Sequence, residues 1–269
     1  MNEPFKEQDG SYLQIEGWQQ LHPRLVAGFT TRHGGVSKEP YHTFNFGLHV
    51  PDDQNDVLTN RKRLAAKLNF PFENFVSGEQ VHDTFVKEVT DKDKGKGAIT
   101  YESSIKGTDG IITNQKGQLC TAFFADCVPL YFFDPVTEYI GIAHAGWKGT
   151  VGRIAENMVE AFKEKGTRLE NLHVAIGPCI SKDYYEVDDH VIMSIDPINR
   201  KKTVTALSNN HFLLDLKQLN VEILLQSGVI RHNIEVTKYC TFRDEDLFFS
   251  YRRDFGKTGR MLGFLGFLT

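Results

Sequence analysis

Apolar residues fall along this chain mostly in short continuous runs. The runs cover residues 25–31, 74–89 in two pieces, 119–125, 129–133, 139–144, 172–176, 234–241 and 260–268. Several are unbroken and bounded by turn residues, which predicts strands buried on both faces. Three stretches carry helical spacing instead. Residues 56–68 put Val57, Leu64, Ala65 and Leu68 on one face. Residues 150–165 place Val151, Ile154, Ala155, Met158, Val159 and Phe162 on another, at helical intervals. Residues 215–226 carry Leu216, Leu219, Ile223 and Leu224, with Asp215 or a neighbour as N-cap and Gly228 just past the end. Strands interleaved with helices, without strict alternation, predict an α/β fold of packed layers with mixed sheets.

No repeat, low-complexity tract or Pro/Ser-rich linker divides the chain. Residues 91–97 alternate charge and glycine and read as a solvated loop. The expectation is one catalytic domain over residues 1–269, with 1–20 as a peripheral N-terminal segment. At 269 residues, that domain can bury a sizeable core. The 31 Lys and Arg against 35 Asp and Glu leave a net charge of −4, no electrostatic footprint for nucleic acid. The opening residues are polar and acidic, unlike a secretory or transit signal. The longest apolar stretch, around 120–133, is broken by Asp126, so no membrane span is expected. Cys120, Cys127, Cys179 and Cys240 stand far apart and read as reduced thiols of a cytoplasmic protein.

The candidate chemistry gathers at strand ends. His82 and His144 each close an apolar run beside a glycine-bearing turn, and Cys127 has the same address. Two histidines and a cysteine suit zinc, and three protein ligands leave a fourth position open. Their separations, 45 and 17 residues, are equally compatible with three unconnected core residues. The turn Gly146-Trp147-Lys148-Gly149-Thr150 leads into the strongest helix, where free N–H groups and Lys148 would favour an anion. Arg32, beside Gly34 and Gly35, forms a second turn of that kind. Arg252 and Arg253 read first as a salt-bridged strand end. There is no GxGxxG, Walker A or GxSxG sequence, and no His-x-His pair for a multi-copper cluster.

Taken together, the pieces resemble one family: the bacterial purine nucleoside phosphorylases formerly labelled multicopper polyphenol oxidases or laccase-domain proteins. They run in order as Thr30–Ser37 (TTRHGGVS), Asn45–Leu48 (NFGL), Gln80-Val81-His82, Thr108-Asp109-Gly110 and Ala125–Pro129 (ADCVP). His144–Gly149 (HAGWKG), Ile176–Ile180 (IGPCI), Tyr185-Glu186-Val187, Arg252-Arg253-Asp254 and Thr258-Gly259-Arg260 complete the series. The resemblance implies zinc held by His82, Cys127 and His144, with copper possible if the site is loaded with it. It implies a layered α/β sandwich similar to the catalytic domain of cytotoxic necrotizing factor toxins. The implied activity is phosphorolysis of adenosine, inosine, guanosine and methylthioadenosine, with adenosine deamination as a second reaction.

The expected partners are purine nucleosides and phosphate, and the expected state is a monomer or homodimer. Arg32, Asn45, Lys148, Gly149 and Thr150 are the expected substrate-binding residues, the Lys148 helix start with Arg32 holding phosphate. Asp126, Asp109 and Glu186 are candidates for a general acid or base. Three rival readings remain: a metal-free cysteine hydrolase or deamidase with a Cys127–His144 dyad, a non-enzymatic zinc-stabilised module for protein binding, and a copper-loaded phenol oxidase.

Overall fold

The computed structural model describes residues 3–208 and 210–269. A first six-stranded sheet runs Phe5–Gln8, Tyr12–Ile15, Leu25–Thr30, Met261–Phe267, Leu119–Phe124 and Phe75–Ser77 from edge to edge. Its neighbours are antiparallel except the last pair, where Val76 registers with Cys120 in parallel. A second six-stranded sheet runs Ile234–Val236, His173–Ile176, Val128–Asp134, Tyr139–Ala145, Gly110–Thr113 and Val86–Glu88. It too is mixed, with parallel pairs at both edges. Glu186–Asp188, His211–Leu214 and Val204–Ala206 form a small antiparallel sheet.

The continuous apolar runs are explained by layering. In Val128–Asp134, Leu130 and Phe132 pack under the helices, while Tyr131 and Phe133 enter the layer between the two large sheets. Met261–Phe267 does the same in the other sheet: Met261, Leu265 and Phe267 face the inter-sheet layer, Leu262 and Phe264 the opposite side. Period-2 alternation then carries two cores at once, and few positions are left for polar residues. Helix Gln54–Leu68 covers the outer face of the first sheet through Leu64, Ala65 and Leu68. Helices Ile154–Glu164 and Leu216–Gln226 cover the outer face of the second. The order of layers is helix, sheet, sheet, helix.

Three expectations need correction. The helix expected over 150–165 is two: Trp147–Val151 and Ile154–Glu164, separated by Gly152 and by Arg153 at φ +68°. Arg153 in the left-handed region ends one helix and starts the next at a new angle, which apolar spacing cannot register. Of the segment 1–20, the described residues 3–20 are not peripheral to the core. Its strands lie at a sheet edge, yet Phe5, Leu13, Ile15 and Trp18 are buried between the sheets. Residues 91–97 are also less solvated than expected, since Asp93 and Gly97 are buried and the Gly97 carbonyl accepts from Arg61.

Candidate metal centre

Three side chains meet where the chain passes between the two large sheets. His82 lies in the loop after Phe75–Ser77, Cys127 in the link between Leu119–Phe124 and Val128–Asp134, and His144 in strand Tyr139–Ala145. One donor atom from each lies within 4.8 Å of the other two. The Cys127 Sγ to His82 Nε2 distance is 3.8 Å, and the two imidazole rings stand 4.7 Å apart, nearly perpendicular. Around a tetrahedral zinc ion, bonds of about 2.0 and 2.3 Å place a nitrogen and a sulfur roughly 3.5 Å apart. The trio fits such an ion with small side-chain adjustments.

The backbone is strained to achieve this. Gln80, His82 and Asp126 all have positive φ, at +59°, +64° and +88°. Gln80 is held by a two-point bond, its amide nitrogen donating to the Phe123 carbonyl and its oxygen accepting from the Phe123 N–H, both at 2.8 Å. That bond carries the pairing of strand Leu119–Phe124 into the His82 loop. Gly146 packs against two of the ligands: a Cβ there would lie 2.8 Å from His82 Cδ2 and 3.2 Å from Cys127 Sγ.

Asp109 organises both histidines. Its carboxylate accepts from His144 Nδ1 at 2.8 Å and from the N–H groups of Val81, His82 and Asp83 at 3.0 to 3.1 Å. This leaves His144 Nε2 as the donor toward the cluster, the usual carboxylate–histidine arrangement behind a metal ligand. Burial works to raise the Asp109 carboxyl, but His144 and the loop N–H groups hold it below its ordinary value. With four donors engaged, Asp109 positions other groups. Asp126 is similarly occupied, accepting from Thr241 Oγ1, Ser250 Oγ and Arg252 N, while burial raises its carboxyl. Glu186 pairs with His211 at the surface, off the wall of the cavity at the trio.

That cavity has a volume of about 510 Å³, within the range of small-molecule sites. Trp147, Tyr185, Tyr251, Phe123 and Tyr101 supply aromatic wall, and Arg252, Arg260 and His49 supply the basic side chains. Among the expected binding residues, Arg32 lies elsewhere, donating to the His42 and Glu245 carbonyls and stacking on Phe249. Asn45 is buried behind the wall and accepts from the N–H groups of Gly47 and Arg260. Lys148 is exposed, with its ammonium over Trp147. Thr150 and Gly149 are buried in the helix turn, where Thr150 Oγ1 accepts from Asn220. His49, read from the sequence as an ordinary loop histidine, is on the wall. Its only sequence signal was proximity to Asn45–Leu48.

With no metal present, Cys127 and His144 polarise each other. Enclosure alone would raise the thiol, but the His144 charge and hydrogen bonds from both histidines bring it down to about 6. Burial would lower His144, and Cys127 with Asp109 instead raises it to about 9.

A mixed α/β sandwich with one His–Cys–His cluster at its sheet junction among the described residues matches a known class. Residues 26–268 match the family described as multi-copper polyphenol oxidoreductase laccase, and the chain belongs to that family. Among its relatives, purine nucleoside phosphorylase YlmD of Bacillus subtilis is 43% identical over 98% of this chain and 97% of its own. The solved structure of YlmD from Geobacillus stearothermophilus superposes with a TM-score of 0.94 at 41% identity, covering 100% of both chains. That of the Bacillus licheniformis hypothetical protein YfiH gives 0.95 at 41%, over 98% of this chain and 99% of that one. No described helix is long and apolar enough to cross a membrane.

Proposed function

We propose that this chain is a zinc-dependent purine nucleoside phosphorylase, a single catalytic domain over residues 1–269 acting in the cytoplasm. The observation that carries this reading is the convergence of His82, Cys127 and His144 on one wall of a cavity whose other walls are aromatic and basic. The relatives named purine nucleoside phosphorylase support it over most of the chain. Two large sheets sharing one buried layer support the single domain and its likeness to the toxin-type sandwich.

Phosphorolysis joins a phosphate oxygen to C1′ of the ribose as the C1′–N9 bond breaks. The electron pair goes to the purine, which takes up the phosphate proton, leaving ribose 1-phosphate. The transition state carries positive charge near C1′, so an oriented phosphate and a held purine lower its energy. Trp147, Tyr185 and Tyr251 offer planar faces for the base. Zinc bound by the trio would supply Lewis acidity at an open coordination position. Asp109 fixes the His144 tautomer and the His82 loop. Adenosine, inosine, guanosine and methylthioadenosine are the proposed substrates, with adenosine deamination as a second reaction in the same cavity.

The test is hypoxanthine release from inosine with and without phosphate, alongside zinc content. Phosphate-dependent release with about one zinc per chain supports the proposal; release that ignores phosphate counts against it. The polarised Cys127–His144 pair favours a second reading, a thiolate hydrolase. A protein free of zinc, with Cys127 readily alkylated, would favour that reading instead. A phenol oxidase would require copper at the same trio, since among the described residues only one such cluster converges.

A further inference from the structure

Two sequence motifs distant along the chain meet beside the metal cluster. The Asn45-Phe46-Gly47 segment clamps Arg260: Asn45 Oδ1 accepts from the Arg260 N–H at 2.8 Å, and the Arg260 carbonyl accepts from Phe46 N–H at 3.0 Å. Gly47 lies directly under the side chain. A Cβ there would sit 2.9 Å from Arg260 Cγ and 3.2 Å from His49 Cε1. The absence of a side chain at Gly47 is therefore what lets Arg260 and His49 share this part of the wall.

The charge in this region is unbalanced. Arg260 has one nitrogen, Nη1, engaged by the Thr258 and Gly259 carbonyls. Its Nε and Nη2 have no protein acceptor among the described residues, and no carboxylate pairs with it. Behind Phe123, on the same wall, Arg61 is buried, 2% exposed, with its guanidinium carbon 4.7 Å from the ring centroid. All four of its hydrogen bonds go to the carbonyls of Phe46, Gly97 and Ala98, and again no carboxylate is present. Burial lowers Arg61 only to about 9, so it remains a cation at neutral pH. Neither guanidinium has a carboxylate in direct contact, and Arg260, which lines the cavity and is partly buried, keeps donors free for an anion beyond the influence of Cys127 and Asp126.

We propose that Arg260, with His49 beside it and Arg61 behind Phe123, is the oxyanion subsite of the cavity and holds the inorganic phosphate. This rests on the phosphorylase reading for the identity of the anion, though not for its binding. It moves the phosphate from the Lys148 helix start to the opposite set of loops. Lys148 is exposed and off the cavity wall, and its helix is five residues long. Arg260 presents two unpaired donor nitrogens in a fork suited to two phosphate oxygens. Arg61 contributes potential alone, since it lies behind Phe123 with four of its five N–H donors engaged by the backbone.

The test is calorimetric titration of inorganic phosphate into the full-length protein, alone and with saturating hypoxanthine. Wild type, Arg260→Met, Arg260→Lys, Gly47→Ala and Lys148→Ala are compared, with zinc content and thermal midpoint recorded for each. Arg260→Met should weaken phosphate by about ten- to a hundredfold, as expected for a charge-assisted pair, with Arg260→Lys between it and wild type. Gly47→Ala should weaken it without removing any charge, which guards against an Arg260→Met protein that fails to fold. Unchanged phosphate affinity in a folded Arg260→Met protein, loss confined to Lys148→Ala, or no phosphate binding by wild type in either condition would overturn the subsite. Failure of the phosphorylase reading looks different: phosphate binding stays sensitive to Arg260, but wild type releases no purine.

Discussion

Asp109 Oδ1 stands 2.8 Å from His144 Nδ1, and the same carboxylate accepts three successive N–H groups from the loop that carries His82. One buried side chain therefore sets the orientation of two members of the candidate metal cluster that are 62 residues apart. Asp109→Asn keeps the size but places an NH₂ group against donors. We expect zinc affinity to fall by about ten- to a hundredfold, measured by competition with a chromophoric chelator. An Asp109→Asn protein that holds zinc as tightly as wild type would remove the orienting role.

Gly146→Ala leaves all three ligands in place yet puts a methyl group 2.8 Å from the His82 ring and 3.2 Å from the Cys127 sulfur. The ligands must separate to admit it. Zinc occupancy after dialysis should drop, with circular dichroism unchanged. Retained stoichiometric zinc would show that the trio tolerates a wider spread.

The Cys127 thiol is shifted down from its ordinary value to about 6. A lowered acid is ionised above its pKa, so metal-stripped protein should be alkylated by iodoacetamide with a rate that rises through pH 6 and levels off near neutrality. An unperturbed thiol would still be rising at pH about 8.5. Readdition of zinc should suppress the reaction at every pH. Mass spectrometry of the Cys127 peptide measures both effects.

Chelation should abolish phosphorolysis and adenosine deamination together if both need the trio. Purine and ammonia release, followed during titration with a chelator and then with zinc, decide it. Phosphorolysis that survives in stripped protein would restrict the metal to deamination.

Arg61 satisfies the carbonyls of Phe46, Gly97 and Ala98 from inside the core. Arg61→Met removes every donor while roughly keeping the volume, so several buried acceptors lose their partners. The cost should be about 3–5 kcal/mol in urea unfolding. A loss well under 1 kcal/mol would mean that water replaces the guanidinium.

Much of the sandwich was legible because strands buried on both faces leave long apolar runs. Leu119–Phe124, Val128–Asp134 and Tyr139–Ala145 lie within a residue of the expected bounds. The elements that were missed are short or at edges. Phe5–Gln8 has one fully buried residue, and Glu186–Asp188 buries only Val187. Gly110–Thr113 is wholly buried, but four residues opening on glycine give too short a run to read.

The convergence of His82, Cys127 and His144 was legible for a related reason: each sits where an apolar run stops. The expectation of phosphate at Lys148 followed a rule about helix starts; the helix there is five residues long and Lys148 is exposed, and the proposed Arg260 subsite is the alternative to it. Arg260 and Asn45 are 215 residues apart, and their pairing leaves no periodic trace. Tertiary convergence of loops is invisible to local pattern, while strand ends are not.

The three side chains of the cluster come from both large sheets: His82 follows a strand of the first, His144 lies in a strand of the second, and Cys127 is in the link between them. A metal held by all three would be a rivet through that seam. A fragment carrying either half alone would hold at most part of the donor set, so metal uptake should report correct docking of the halves during biogenesis. For the same reason the centre cannot be transplanted as a peptide; a designer would have to move the crossing itself.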